Sequence, residues 1–146
     1  MADYTYLDLD VDLLPNTFTD DISVKKDLRA IRQSVTNLLL TRPGERFFSL
    51  APAGAGLQDL FFELKNLSIS NNVFIRENIK EIINKYEPRV VFNDLIIKND
   101  DTIADGSGID VQVIYDIVSF GSDVDSLETS TITDSITITI EGPSNG

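Results

Sequence analysis

The chain has 146 residues, 42% of them apolar, and sets 24 Asp and Glu against 12 Lys and Arg, a net charge of −12. That length and apolar content suit one folded domain rather than a disordered chain, and so acidic a composition is a poor match for nucleic acid, whose phosphates need basic groups. With no histidine and no cysteine, the chain can form no disulfide, no thiolate metal site, and neither Ser-His nor Cys-His nucleophilic catalysis.

No apolar run is long enough to span a bilayer. The opening MADYTYLDLDVD lacks the basic region and apolar stretch of a signal peptide. An intracellular protein working inside a large assembly is expected. The charge is segregated along the chain. Residues 1–24 carry six acids and no base, residues 25–98 hold all twelve bases against eight acids, and residues 99–146 carry ten acids and no base. The split suits acidic ends that meet basic partners, or a middle covered by acidic ones, and equally suits solubility alone.

Leu7 to Leu13 alternates apolar and acidic residues, which predicts a half-buried strand or extended arm with a solvated acidic face. Asp8, Asp10 and Asp12 also match the opening of a calcium loop. That loop requires Gly at its sixth position and Glu at its twelfth, where Leu13 and Thr19 stand, so the strand is the better reading. From Ser23 to Leu40 the period becomes helical. Val24, Leu28, Ile31, Val35, Leu38 and Leu39 form one stripe, with Ser23 as its N-cap. Pro43 and Gly44 stop this helix near Thr41 and Arg42.

Residues 43–56, PGERFFSLAPAGAG, are punctuated by Gly and Pro and predict irregular backbone, followed by a short amphipathic turn over 57–63. A second helix is predicted over Asn71–Tyr86 with Ile75, Ile79, Ile82, Ile83 and Tyr86 as its stripe, ended by Pro88. Strands follow at Arg89–Lys98, bulged around Asn93 and Asp94, at Asp110–Ser119, and at Thr129–Ile140. The expected fold is α+β, with two main helices on one face of a mostly antiparallel sheet of three to four strands. The expected organisation is an acidic arm over 1–22, a single domain over 23–141, and a flexible tail over 142–146.

Two stretches go beyond composition. One is LLLTRPGER, Leu38 to Arg46, followed by Gly54, Ala55, Gly56 and Leu57 and then by Leu60 to Glu63. The other is Tyr86, Glu87, Pro88 and Arg89 between a helix and a strand. In this order and spacing, over roughly residues 27–117, the chain resembles the baseplate wedge, or sheath-initiator, family of contractile-tailed phages. That family has relatives in type VI secretion baseplates and phage-tail-like particles, and some members carry a lysozyme-like label. One departure is Ala53, where the family has an aromatic before the glycines. The resemblance implies a structural virion protein that docks near the tail tube onto wedge core proteins, and that offers strands to the first ring of sheath subunits. It implies a place in the virion baseplate, assembled in the host cytoplasm, and no cofactor, metal, nucleic acid or membrane is expected.

The Glu-Pro-Arg motif that the family uses for the wedge core falls on Glu87, Pro88 and Arg89. At a rigid corner a carboxylate and a guanidinium two residues apart could meet complementary charge across an interface. An internal ion pair, such as Glu87 with Arg42 or Arg46, is the competing reading. Arg42 and Arg46 themselves read either as partner contacts or as solvated charges after a helix. The last strand, with Ile132, Ile136, Ile138 and Ile140 among threonines, reads either as an edge able to accept another chain's strand or as an ordinary central strand. Ile136 and Ile138 are the partner-binding candidates there. A peptidoglycan hydrolase would need two carboxyls at a set separation, one with a raised pKa. Glu45, Glu63 and Glu87 lie among arginines or on polar surface, and there is no tryptophan to stack on a sugar. A small non-enzymatic adaptor outside tails is the remaining alternative.

Overall fold

The computed structural model describes residues 6–10, 12–45, 53–59, 69–100, 108–119 and 130–141. The elements are β1 (Leu7–Leu9), β2 (Val24–Lys26), α1 (Asp27–Leu40), α2 (Ile69–Tyr86), β3 (Val90–Asp100), β4 (Gly108–Ser119) and β5 (Ser130–Glu141). The expected single sheet of three to four strands carrying two helices is therefore corrected. Among the described residues five strands form two sheets, a two-stranded β1-β2 pair and a three-stranded sheet ordered β3-β4-β5. The chain is α+β only in this broader sense.

The smaller sheet was hidden in two readings that both need revision. Val24 fits the helical stripe by spacing, yet residues 24–26 are extended and pair antiparallel with 7–9. The helix starts at Asp27, and its N-cap is Lys26 at φ −122° and ψ 145°, not Ser23. Ser23 instead ties the hairpin together, its N–H donating to Leu14 and its carbonyl accepting from Asp10. The alternation of β1 is real but faces the other way. Leu7 and Leu9 are 60% and 54% exposed, while Asp8 and Asp10 are half-buried.

The rest of the core follows the apolar periods. Ile31, Val35, Leu38 and Leu39 of α1 and Ile75, Ile79 and Ile83 of α2 are buried together with the inner face of the larger sheet. On β4 every second residue from Ile109 to Ile117 is buried, as a pleated strand with one covered face requires. On β3 the buried positions run Val90, Phe92 and then Leu95. The register skips between Phe92 and Asp94, so one extra residue resets which side chains face the core. Burying each of these aliphatic side chains contributes about 1.5–3 kcal/mol.

The α1 C-terminus shows why the glycine segment is shaped as it is. A helix leaves its last carbonyls unpaired, and here residues 53–57 return to satisfy them. Ala55 N–H donates to Leu38, Leu57 N–H to Leu39, and Gly56 N–H to Thr41 beyond the helix end. The approach is so close that a Cβ on Gly54 would lie 2.2 Å from the Thr41 carbonyl oxygen. Leu57, fully buried, then plugs into the core. Residues 60–63 of the predicted amphipathic turn, Ala51 and Pro52, and the tail over 142–146 lie outside the described residues.

Candidate functional site

The turn from α2 to β3 is built by Glu87, Pro88 and Arg89. Glu87 N–H still donates to Ile83, in helical fashion, and its carbonyl already accepts from Val90 N–H, so the chain reverses within three residues. Pro88 sits exposed at the apex. Arg89 carbonyl accepts from Val118 N–H, locking the corner to the end of β4.

Glu87 is 3% exposed, the only buried charged side chain among the described residues. Its carboxylate is met from two sides. Arg89 Nε and Nη2 donate to its two oxygens at 2.5 and 2.6 Å, and the Ser34 hydroxyl of α1 donates at 2.5 Å. Burial pushes the Glu87 carboxyl up, but the hydrogen bonds from Arg89 and Ser34 together outweigh it and hold the group below the usual carboxylate range. Arg89 is in turn covered by the Tyr6 ring, 5.2 Å from the guanidinium carbon to the ring centre. Tyr6 is held by Asp27, whose carboxylate accepts from the Tyr6 N–H and whose own N–H donates to the Tyr6 carbonyl.

The structure thus gives Glu87 an internal partner, Arg89 of the same motif rather than Arg42. The Arg89 side chain keeps 27% exposure, so its outer edge still reaches the surface. Arg42 lies elsewhere, 59% exposed, with Nε 3.1 Å from Asp59 and its N–H donating to Glu45. Arg46 lies outside the described residues. The two motif stretches do converge: Pro43, Gly54 and Ala55 line one shallow hollow with Ile82, Lys85 and Tyr86 of α2.

Among the described residues β5 is the last strand of its sheet and pairs with β4 alone, in continuous antiparallel register from Ser130 opposite Ser119 to Glu141 opposite Gly108. Ile138 is buried and Ile136 packs partly buried against the core. Their side chains therefore hold β5 to the body, and what β5 presents outward is backbone. Its other face is hydroxyl-rich, with Thr133 and Thr139 donating to Asp116 and Asp110 across the pair. Asp134 breaks the apolar inner row. It takes two hydrogen bonds from Arg32 of α1 and one from the Tyr115 hydroxyl, 3.1 Å away.

Ser34, Tyr6, Arg32, Tyr115 and Asp134 were not singled out from sequence. Ser34 had a signal, a hydroxyl on the buried stripe three residues after Ile31 and four before Leu38. Asp134 had another, a lone acid among isoleucines of a strand. Among the described residues no group of three or more Asp and Glu is placed to hold a metal, and no helix is long and apolar enough to cross a membrane.

The sequence of the baseplate wedge protein gp25 family matches residues 25–122, more than half of the chain. The gp25 baseplate wedge protein of Enterobacteria phage T4 is 25% identical over 123 residues, which cover 84% of this chain and 88% of that protein. A chain in the cryo-electron microscopy structure of the anti-feeding prophage baseplate superposes with a TM-score of 0.63 at 25% identity, covering 80% of this chain and 89% of its own. A crystal structure of a candidate tail lysozyme from Geobacter sulfurreducens, at 16% identity and a TM-score of 0.50, shares the fold alone. The match confirms the resemblance drawn from the Leu38–Arg46 and Tyr86–Arg89 stretches: this chain belongs to the baseplate wedge protein gp25 family.

Proposed function

We propose that the chain is a structural component of a contractile-tail baseplate that docks on the inner wedge and templates the first sheath ring by strand addition along β5. The observation that carries this reading is the position of β5, a twelve-residue edge strand with one strand neighbour among the described residues. Its inner side chains are engaged by the core. Main-chain groups along such an edge can accept another chain's strand in a defined register. Here Ile136 and Ile138 act by fixing the strand rather than by touching the partner.

The docking contact is the corner at Glu87, Pro88 and Arg89, whose internal ion pair fixes the guanidinium with one edge at the surface. Arg42 and Arg46 are additional contacts to wedge core proteins. The domain at work is the one over 23–141, and it acts in the virion baseplate, assembled in the host cytoplasm, without cofactor, nucleic acid or membrane. Catalysis is disfavoured by the electrostatics. A general acid for glycoside hydrolysis needs a raised pKa, whereas Glu87 is held low and Glu45 accepts a backbone hydrogen bond at the surface.

Electron microscopy of particles lacking the chain tests the reading. Baseplates or tubes without sheath are expected, and fully sheathed contractile tails would overturn it. Thr137→Pro, at an exposed position in the middle of β5, is expected to leave the chain in the baseplate while blocking sheath growth. Normal sheaths on a correctly folded variant would sink strand addition along β5.

A further inference from the structure

The outward face of the β1-β2 hairpin is mostly apolar. Register sets Leu9 opposite Val24 and Leu7 opposite Lys26 on one side of the pair, with Asp8 and Lys25 on the other. The side turned to the body is therefore the charged one, where Asp10 pairs with Lys25 at 3.3 Å. The side turned to solvent carries Leu7, Leu9 and Val24, with the exposed Lys26 opposite Leu7 at the end next to α1. The segment joining the strands adds Leu14 and Phe18, and Phe18 is 96% exposed. A half-exposed sheet ordinarily turns its apolar residues inward, and an apolar patch left facing water marks an interface.

The connecting segment is built rather than loose. Pro15 and Ile22 form a bridge, Asn16 N–H donates to Asp21, and Asn16 Oδ1 accepts from Phe18 N–H, which fixes the aromatic at the tip. Leu13 is held at φ 49°, a backbone conformation that residues with a Cβ seldom adopt, while its side chain is 60% exposed. The rim of the patch along the connecting segment is acidic: Asp12, Asp20 and Asp21 are exposed there, while Lys26 stands at the opposite end, next to α1.

We infer that this face is a second docking surface, separate from the Glu87–Arg89 corner and the β5 edge, and that it takes a segment of a different protein combining an apolar face with flanking Lys or Arg. The apolar side chains supply the contact, with Phe18 as anchor, because buried aromatics dominate interface energetics. The acidic rim selects the sign of the partner and repels an acidic one. It also disfavours a second copy of the hairpin, whose rim carries the same charge.

A benzophenone-bearing phenylalanine analogue in place of Phe18 of the full chain tests this, with photo-cross-linking both in the producing cells and in purified particles and the adducts sequenced. The expected adduct lies in another protein, at apolar residues flanked by Lys or Arg. Adducts only to this chain or its copies, adducts at an acidic or neutral site, or no adduct would overturn the inference. As control, Leu7→Ser with Leu9→Ser and Val24→Thr is expected to shift the melting temperature by no more than about 3 °C, since the side chains face water. Adduct yield is expected to fall more than about tenfold. A collapse in melting temperature would show that the patch serves the fold instead. The inference does not depend on the proposed sheath role. A basic adduct found in cells but not in particles removes the baseplate reading and leaves this surface standing, and sheath-free tails from Thr137→Pro with no adduct do the reverse.

Discussion

Arg32 and Asp134, 102 residues apart in sequence, meet as a two-pronged pair, with Arg32 Nε and Nη2 each 2.7 Å from a different carboxylate oxygen. The pair ties α1 to the middle of the edge strand. Its two ends are unequal, because Arg32 is half exposed while Asp134 also accepts from the buried Tyr115 hydroxyl. Arg32→Ala is expected to cost only about 0.5 kcal/mol, as exposed ion pairs do. Asp134→Ala strands the tyrosine hydroxyl and is expected to cost roughly 2 kcal/mol. Urea unfolding of both variants measures the difference, and hydrogen exchange along β5 locates it.

The Glu87 carboxylate gives a sharper case, since two partners converge on it in a buried place. Glu87→Ala leaves the Arg89 charge partly buried and unpaired and is expected to cost about 3 kcal/mol. Arg89→Lys keeps the charge but loses the paired donors, so it is expected to retain most of the fold while weakening docking. Thermal unfolding and baseplate incorporation, measured side by side, separate the two effects.

The pH profile follows from the same groups. Glu87 and Asp134 are both held below their ordinary values of 4.5 and 3.8. For Glu87 burial opposes the shift and hydrogen bonds from Arg89 and Ser34 overcome it, and for Asp134 the Arg32 hydrogen bonds lead. A carboxyl lowered in the fold contributes stability above its unfolded pKa and loses it as pH falls through the folded one. Tyr115 is raised from 10.0, first by burial and then by the Asp134 carboxylate, so its contribution is full below that value and declines as pH climbs past it. Stability is expected to be flat through neutrality, to fall below about pH 4.5 and to fall again above about pH 10. Glu87→Gln is expected to flatten the acid limb in a melting-temperature series against pH.

Two glycines with positive φ predict opposite severities. Gly44, at φ 81°, has nothing within 4 Å of where a Cβ would stand, so Gly44→Ala is expected to cost only about 1 kcal/mol of backbone strain. Gly54, at φ 137°, faces the Thr41 backbone so closely that a Cβ would overlap its carbonyl oxygen. Gly54→Ala must push the return segment off the α1 C-terminus and is expected to cost more than about 3 kcal/mol. Chemical denaturation of the pair checks the ratio.

Tyr6 is the hairpin's hold on the corner. Tyr6→Ala removes the ring over Arg89 and is expected to cost about 1 kcal/mol, with faster amide exchange at Leu9 and Val24. Tyr6→Phe keeps the ring and gives up only a long 3.4 Å hydrogen bond to the Val118 carbonyl, so it is expected to behave almost as the parent.

Much of this was legible in sequence wherever one period ran long enough. Both helices, the bulge beside Asn93 and the three long strands follow from apolar spacing and Pro placement. The hairpin did not, because three-residue strands are too short for a period to declare itself and Val24 satisfied the helical stripe by coincidence. Alternation at Leu7 to Leu9 announced two unlike faces, but which face turns inward depends on Tyr6, Asp27 and Arg89, which meet only in the folded chain. The Arg32–Asp134 pair is invisible for a related reason, since no local pattern links residues on separate elements. The glycines were read as punctuation, and only the fold shows that Gly54 is an absent side chain pressed against a helix end.

The inward carboxylate of Asp134 has a consequence for the chain before it meets any partner. A long edge rich in threonine and isoleucine is a natural seed for aggregation, and a chain that waits in solution with such an edge has to avoid its own copies. A charge pointing into the sheet, met by Arg32 of α1 and by Tyr115 of β4, ties edge geometry to correct internal folding. A chain whose first helix has not docked lacks Arg32 at that place and keeps a carboxylate without its cation in mid-strand, which works against indiscriminate strand stacking. Docking of α1 and the geometry of the β5 edge are thus coupled through one side chain.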